Sequence, residues 1–251
     1  MNLEEVQAEK DRVRRAVWDL LERSGVAAPP RPVHGRIPNF IGAERAARRL
    51  AEAKEFREAR VIKVNPDSPQ RPLRELALRL GKVVLVPTPR LRGQFYLLEP
   101  GRVDPVEASR ISGFTRLGEV IDVESAPRID LVVAGSVAVT LDGARVGKGE
   151  GFSELEYAML REVGKVNDDT PIATTVHDLQ VVDRIPSLPF DVPVDIIATP
   201  TRLHYVNPRR PRPPGLLLEF LTKEKVERTP YLRNYLLRTG RYNLVGRPRG
   251  L

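Results

Sequence analysis

Hydrophobic positions repeat at helical spacing in the first segment of the chain, residues 3–24. The apolar positions that share one helical face are Val6, Val13, Val17, Leu20 and Leu21. At about 100° per residue, Lys10 falls inside this apolar stripe and Arg14 at its edge. Both cations are therefore predicted to face the protein body. They either lay their methylenes on the core with their heads in water or form a site for an anion.

Further along the chain, short β-rich runs alternate with helical segments. The pattern predicts strands at residues 60–64, 82–87, 94–98, 120–123, 130–140, 172–182 and 194–199. It predicts helices at residues 42–59, 70–80 and 153–163. The runs at 83–86 and 131–133 are apolar on both faces, which favours an α/β fold with a mainly parallel sheet flanked by helices, Rossmann-like and three-layered. In such a sheet, ligands bind beyond the carboxyl ends of the strands.

A Pro/Arg segment, VNPRRPRPP at residues 206–214, is too stiff and too poor in backbone donors for a regular element. It predicts an α/β domain over residues 1–205 and a basic C-terminal extension over residues 206–251. The extension contains an apolar run at 216–221 and a cluster at helical spacing formed by Tyr231, Leu232, Tyr235 and Leu236. We expect it to pack back onto the domain.

Composition narrows the function classes. The 251 residues are 41% hydrophobic and 29% charged, which is enough to bury a sizeable core. The chain has no cysteine, so disulfides, thiolate catalysis and cysteine-bound zinc are excluded. The longest apolar stretch, residues 131–139, is too short to cross a bilayer, and the first ten residues do not resemble a secretory signal. We expect a soluble cytoplasmic protein, and the 23 prolines with abundant arginine are typical of proteins from hot environments.

Net charge is distributed unevenly along the chain. Residues 206–251 carry 11 Lys and Arg against 3 Asp and Glu, a net charge of +8 that equals the charge of the whole chain. Residues 1–205 are therefore neutral overall. Long-range attraction for polyanions must come from the C-terminal extension.

A glycine-rich segment, RVGKGEG at residues 145–151, precedes the predicted helix 153–163. Its alternate glycines are Gly147, Gly149 and Gly151. They allow the backbone to curl closely around a ligand with successive N–H groups aimed at an anion, and Arg145 and Lys148 add positive charge. The spacing matches neither a P-loop nor a dinucleotide fingerprint. A glycine-rich hairpin turn is the alternative interpretation.

The segment RVGKGEGFSE, residues 145–154, resembles the Arg-Leu-Gly-x-Gly-x-Gly-Tyr-Tyr-Asp signature of the 5-formyltetrahydrofolate cyclo-ligase family. Lys10 and Arg14 are similar to its N-terminal Lys-x-x-x-Arg pair. Asp67 in NPDSPQRPLRE resembles the acidic residue that meets the pterin, where Glu is usual, and Asp191 in FDVPVDIIAT resembles the first carboxylate of a closing Asp-x-x-Val-Asp motif. The similarity covers residues 8–200.

The chain departs from the family pattern at several positions. Phe152, Ser153 and Glu154 replace Tyr-Tyr-Asp, and Glu150 occupies a position where Lys or Gly is common. Residues 134–138 lack the usual proline. A carboxylate inside a phosphate-binding loop repels phosphate unless it turns outward or helps to bind the metal. The departures indicate a divergent branch of the family.

The resemblance implies an ATP- and Mg²⁺-dependent ligase of one-carbon metabolism. ATP phosphorylates the formyl oxygen of 5-formyltetrahydrofolate or a related reduced pterin, N10 attacks the activated carbon, and phosphate leaves to give the 5,10-methenyl form. The resemblance assigns catalysis to Arg145 and Lys148, the substrate to Asp67, Mg²⁺ to Glu154 and Asp191, and ATP to Lys10, Arg14, Gly147, Gly149, Glu150, Gly151 and Phe152.

Two alternatives remain open at this point. Glu154 lies in the first turn of a predicted helix, where the helix dipole favours an acid without any metal, and Asp191 could simply border a strand. The chain could instead be a non-catalytic nucleotide- or RNA-binding protein on a cyclo-ligase scaffold that binds through the extension, because the extension interleaves cations with aromatic rings. These residues are Arg209, Arg210, Arg212, Arg238, Arg241, Arg247 and Arg249 with Tyr231, Tyr235 and Tyr242.

Overall fold

An eight-stranded sheet forms the centre of the molecule in the computed structural model, which describes residues 2–247. The strands in this part of the chain, eight in the large sheet and two in a separate ribbon, are β1 (Val61–Val64), β2 (Val83–Pro87), β3 (Phe95–Leu98), β4 (Glu119–Ile121), β5 (Leu131–Val133), β6 (Ala138–Val139), β7 (Arg145–Val146), β8 (Ile172–Thr175), β9 (Ile196–Ala198) and β10 (Leu203–Tyr205). The helices are α1 (Leu3–Arg23), α2 (Ala43–Ala51), α3 (Lys54–Glu58), α4 (Arg71–Arg79), α5 (Pro105–Ala108), α6 (Ile111–Leu117), α7 (Phe152–Glu162), α8 (Lys223–Glu227) and α9 (Pro230–Arg238).

The strand order in the large sheet is β10-β9-β8-β5-β1-β2-β3-β4. The five central strands, β9, β8, β5, β1 and β2, pair in parallel, whereas β3, β4 and β10 add antiparallel edges. The mainly parallel α/β fold predicted from the sequence is confirmed. The strands β6 and β7 form a separate antiparallel ribbon.

Two hydrophobic cores cover the two faces of the sheet. Along β5, Leu131 and Val133 belong to the core that also contains Leu50, Phe56 and other side chains of α2, α3 and α4. Val132 belongs to the opposite core, together with side chains of α7 and α9. This alternation follows from the two-residue period of a strand, and it explains why the central strands are apolar throughout.

Several predicted elements are shorter than expected. The predicted helix 42–59 is two helices, because Ala53 between α2 and α3 is extended (φ −64°, ψ 141°). The predicted strand 130–140 ends at Val133, and its last part contributes to the β6–β7 ribbon instead. The predicted strand 172–182 ends at Thr175. The helices α5 and α6 and the edge strand β10 were not predicted.

The C-terminal segment, residues 206–247, packs against α7. Leu216, Val226 and Leu232 join the core that contains Met159 of that helix. At the end of α7, Glu162 accepts hydrogen bonds from Tyr235 Oη (2.8 Å), Arg241 Nη1 (2.9 Å) and the backbone N of Leu216 (2.9 Å). Burial alone would raise the pKa of Glu162, but the hydrogen bonds from these groups lower it. A domain boundary at residue 205 stays a prediction.

None of the helices among residues 2–247 is both long and apolar enough to cross a membrane.

Candidate functional site

Helix α1 turns two cations towards the glycine-rich segment. Lys10 and Arg14 are buried, with residue exposures of 3% and 6%, whereas Arg12 and Arg15 are exposed, so the predicted inward face is confirmed. Lys10 Nζ lies 2.5 Å from Asp191 Oδ2. Arg14 Nε donates to the carbonyl oxygen of Gly147 at 2.7 Å. Both cations therefore lie at the glycine loop rather than in bulk water.

Residues 147–151, here called the glycine loop, connect β7 to α7. Gly149 and Gly151 have φ angles of +104° and +72°, a conformation that other residues rarely adopt, and Gly151 is the N-cap of α7. The hairpin turn of the β6–β7 ribbon lies earlier, before Arg145. The alternative interpretation of a glycine-rich hairpin turn is therefore wrong. The loop leads into the positive end of an eleven-residue helix, where N–H groups favour an anion.

Arg145, which directly precedes Val146 and the glycine loop, is buried and connects several segments of the chain through hydrogen bonds. Its guanidinium group donates to the carbonyl oxygens of Val192 (Nε, 3.0 Å) and Gly135 (Nη1, 2.7 Å), and Nη2 pairs with the carboxylate of Glu154. Its side chain is fully buried. These contacts hold the loop, the start of α7 and the segment around residue 192 in one arrangement. A direct contact between Arg145 and phosphate stays a prediction.

Glu154 and Asp191, the two predicted metal ligands, line one small cavity of about 50 Å³. Burial raises the pKa of Asp191 and the charge of Glu154 adds to this, whereas Lys10 lowers it. Arg145 donates to Glu154 Oε1, and Lys10 and the backbone N of Leu188 donate to Asp191 Oδ2. The other oxygen of each carboxylate has no hydrogen bond among the described residues. Within residues 2–247 there is no cluster of three or more acidic, His or Cys side chains able to hold a metal.

A second cavity of about 390 Å³, here called the large cavity, is also lined by residues of the glycine loop. Asp67 and Lys148 both line it, with Lys148 Nζ 4.0 Å from Asp67 Oδ1. Burial raises the pKa of Asp67, and the charge of Lys148 partly offsets this. The two cavities have Gly147, Gly151 and Glu154 in common. The glycine loop therefore borders both a small cavity lined by cations and acids and a cavity large enough for a small molecule.

Glu150 turns its carboxylate onto cations. Its Oε2 lies 3.1 Å from Lys148 Nζ and its Oε1 lies 3.4 Å from Arg90 Nη2. The residue thus neither points into open solvent nor lies with Asp191 in the small cavity. Its carboxylate therefore neutralises part of the positive charge of Lys148.

Residues 6–200 match the model of the 5-formyltetrahydrofolate cyclo-ligase family. The chain belongs to this family. It is 44% identical over 232 residues to a mouse protein named methenyltetrahydrofolate synthase domain-containing protein, and 40% identical over 236 residues to the human protein of the same name. These matches cover 90% and 91% of this chain but 62% of each relative, so the chain spans about six tenths of their length.

A solved structure of the cyclo-ligase type has the same fold. The 5,10-methenyltetrahydrofolate synthetase of Aquifex aeolicus superposes with a TM-score of 0.52 at 19% identity. The match covers 80% of this chain and 95% of the Aquifex chain. At this identity the likeness supports the cyclo-ligase architecture and says nothing about individual residues.

Glu156, which lines the large cavity of this cyclo-ligase family member, belongs to a buried ion pair that sequence reasoning missed. Lys63 on β1 and Glu156 on α7 are 1% and 3% exposed, with Lys63 Nζ 2.6 Å from Glu156 Oε2 and 2.7 Å from Asn65 Oδ1. Burial raises the pKa of Glu156, while Lys63 lowers it. The sequence feature that could have indicated this pair is the single lysine in the apolar strand VIKV, because a buried cation requires a partner.

Arg74 fixes the backbone that carries two residues of the large cavity. Its Nη1 donates to the carbonyl oxygens of Asn65 (2.6 Å) and Asp67 (3.0 Å), and its Nε donates to that of Ser109 (3.0 Å). Burial lowers the pKa of Arg74 to about 9, so it stays charged near neutral pH. Sequence reasoning also missed this residue, which lies on the inner face of α4.

Lys225 of α8 brings the C-terminal segment to the glycine loop. Its ammonium group donates to the carbonyl oxygen of Glu150 and lies 4.0 Å from the ring centroid of Phe152, within cation–π range. Burial lowers the pKa of Lys225, and the charges of Glu150 and Glu154 offset this. No spacing in the sequence links residue 225 to the loop, so the contact was not predictable.

The arginines of the C-terminal segment are largely paired with acids. Those in ion pairs are Arg209 and Arg212 with Asp195, Arg210 with Asp142, Arg228 with Glu224, Arg233 with Glu227, Arg238 with Glu124, and Arg241 with Glu162. Tyr231 and Tyr235 are buried and unavailable for stacking on bases, and Tyr242 Oη donates to Glu227. Arg249 lies outside the described residues. The geometry gives the RNA-binding alternative no support.

Proposed function

We propose that the chain catalyses the ATP- and Mg²⁺-dependent cyclisation of 5-formyltetrahydrofolate, or a related reduced pterin, to the 5,10-methenyl form. The observation that carries this proposal is that the glycine loop lines two cavities, which have Gly147, Gly151 and Glu154 in common. A phosphoryl donor in the small cavity and an acceptor in the large cavity would meet at this loop. Family membership and the names of the relatives support the reaction class.

In the small cavity, where ATP would act as the phosphoryl donor, the lining residues mainly supply positive charge rather than acid–base catalysis. Lys10 and Arg14 bind the phosphates of ATP together with the amides of the glycine loop and the contiguous Phe152. Lys148, which lies between Asp67 and Glu150, neutralises charge on the transferred phosphoryl group. Arg145 acts in this scheme by holding the loop and Glu154 in position.

Glu154 and Asp191 would hold Mg²⁺. Each retains one carboxylate oxygen without a hydrogen bond among the described residues, and both line the same cavity. Magnesium uses one or two protein carboxylates with waters and substrate phosphates, so two acids fit the ion when a nucleotide is present. Bound there, it would supply charge neutralisation at the phosphates.

On the acceptor side, the large cavity holds the reduced pterin, with Asp67 and Glu156 as carboxylates for its polar ring edge. The formyl oxygen attacks the γ-phosphorus and ADP leaves. N10 then attacks the activated carbon, and phosphate leaves with the former formyl oxygen and the N10 proton. The protein mainly positions the reactants and neutralises charge.

The test is the absorbance of 5,10-methenyltetrahydrofolate when the full chain meets 5-formyltetrahydrofolate, Mg²⁺ and ATP, assayed at room temperature and hot. Product that requires both ATP and Mg²⁺ is expected. Lys148→Met should lower the rate about 100-fold or more, whereas Lys54→Met, which alters an exposed lysine paired with Glu58, should not. Absence of product from folded protein that binds ATP would refute the proposed reaction.

A further inference from the structure

A third cavity of about 190 Å³, here called the apolar cavity, adjoins the small cavity. Both are lined by the same five residues, namely Gln7, Gly149, Gly151, Glu154 and Phe190. A ligand could therefore place an anionic part at the glycine loop and an uncharged part in the apolar cavity.

The C-terminal segment builds most of the apolar wall of this cavity. Its side chains there are Leu216, Leu217, Phe220 and Leu221, and they face Leu155 and Ala158 of α7. Residues 216–221 lie beyond residue 200, where the match to the family model ends. This wall is thus an addition to the part of the chain that resembles cyclo-ligases.

Two aromatic rings connect the apolar cavity to the cations. The rings of Phe190 and Phe220 have centroids 5.3 Å apart and planes inclined at 58°. Lys10 Nζ lies 5.8 Å from the centroid of Phe190. A cation for phosphate and aromatic surface for a flat ring therefore lie side by side, which is the combination that a nucleotide requires.

We infer that the C-terminal segment forms the base-binding half of the nucleotide site, with the purine ring against Phe220 and Phe190 and the phosphates at the glycine loop. The inference rests on the proposed function. A volume of 190 Å³ is below the roughly 300–1,000 Å³ of a complete small-molecule site, so it suits one ring system rather than a whole nucleotide. Lys225 fixes the segment to the loop through Glu150 and Phe152.

The experiment compares ATP with inorganic tripolyphosphate, each with Mg²⁺, by calorimetric titration of the full chain. Phe220→Ala should weaken ATP binding about 5- to 50-fold, the usual effect of losing one base–aromatic stack, and should leave tripolyphosphate affinity unchanged. Phe220→Tyr, which keeps the ring, should retain ATP affinity. Leu237→Ala changes an exposed residue of the same segment outside the cavity and should change neither affinity.

The outcomes separate this inference from the proposed function. If tripolyphosphate binds as tightly as ATP, or if Phe220→Ala leaves ATP affinity unchanged or raises it, the base does not use this cavity and the inference is overturned alone. If neither ligand binds to the folded wild-type chain, the proposed function fails and the inference fails with it. Because Phe220 is partly exposed, the Phe220→Ala variant should keep its fold, and circular dichroism of each variant checks this.

Discussion

At the scale of single residues, Glu150 is the position where this chain departs most clearly from a phosphate-binding loop. Its carboxylate lies 3.1 Å from Lys148 and 3.4 Å from Arg90, so it takes up positive charge at the edge of the large cavity. If ATP binds as proposed, its phosphate and this carboxylate compete for the same lysine. Because the contact to Lys225 uses the Glu150 carbonyl oxygen, the side chain can be changed without removing that contact.

Replacing Glu150 with Gln should therefore tighten ATP binding about 2- to 10-fold at low salt, as expected for loss of one partly exposed competing charge. Titration of the full chain with Mg²⁺–ATP measures the change, and the difference should shrink as salt is added. The matched control is Glu99→Gln, which removes an acid paired with Arg102 outside the cavities. Weaker binding by the Glu150 variant would show instead that the carboxylate serves the ligand or its metal.

At the scale of elements, α1 is attached to the site through a buried ion pair. Lys10 of the helix and Asp191 of the loop before β9 have side chains that are 4% and 13% exposed. Arg14, one turn further along, reaches the glycine loop. The N-terminal helix thus fixes the small cavity from one side, while the C-terminal segment fixes the loop from the other through Lys225.

Breaking the Lys10–Asp191 pair should leave an uncompensated buried charge. Lys10→Met or Asp191→Asn alone is expected to lower the free energy of unfolding by about 3–5 kcal/mol, and the double variant by clearly less than the sum. Denaturant unfolding measures this cycle. The exposed Arg12–Glu9 pair on the same helix serves as the control, with an expected coupling of at most about 1 kcal/mol. Additive effects at Lys10 and Asp191 would contradict a direct pair.

At the scale of the whole molecule, the described C-terminal segment shares one core with the sheet. Leu232 and Leu236 belong to the same cluster as Val132 of β5 and Met159 of α7. Its arginines neutralise acids of the body, among them Asp195 and Glu124. Several of the cations that give the chain its net charge of +8 are therefore paired with acids inside the molecule. They do not form one continuous basic surface.

A chain ending at Tyr205 should lose cooperative thermal unfolding, because truncation would expose the face of α7 that the segment covers. The control chain ends at Arg247 and keeps the segment's described residues. Calorimetry and the binding of a dye for exposed apolar surface measure the difference. A truncated chain that unfolds with an unchanged midpoint would show that residues 1–205 fold independently.

Local pattern was sufficient for much of this architecture. The helical stripe of α1 placed Lys10 and Arg14 inward, and apolar runs such as VVLVP and LVV predicted buried parallel strands. Period and turn chemistry operate over a few residues, so they can be read directly from the chain. The same rule explains the errors at residues 130–140: one apolar stretch serves two different elements, and composition cannot show where the chain turns.

The sequence by itself determined α1, α4 and α7, the central parallel strands, the glycine loop and the inward face of α1. Only the tertiary structure decided which distant groups meet: Lys10 with Asp191, Lys63 with Glu156, and Lys225 with the glycine loop. The physical reason is that each of these contacts joins elements from distant parts of the chain, so it depends on how the elements pack rather than on any local period. Packing of helices on the two faces of the sheet, together with the return of the C-terminal segment to α7, brings these groups into contact.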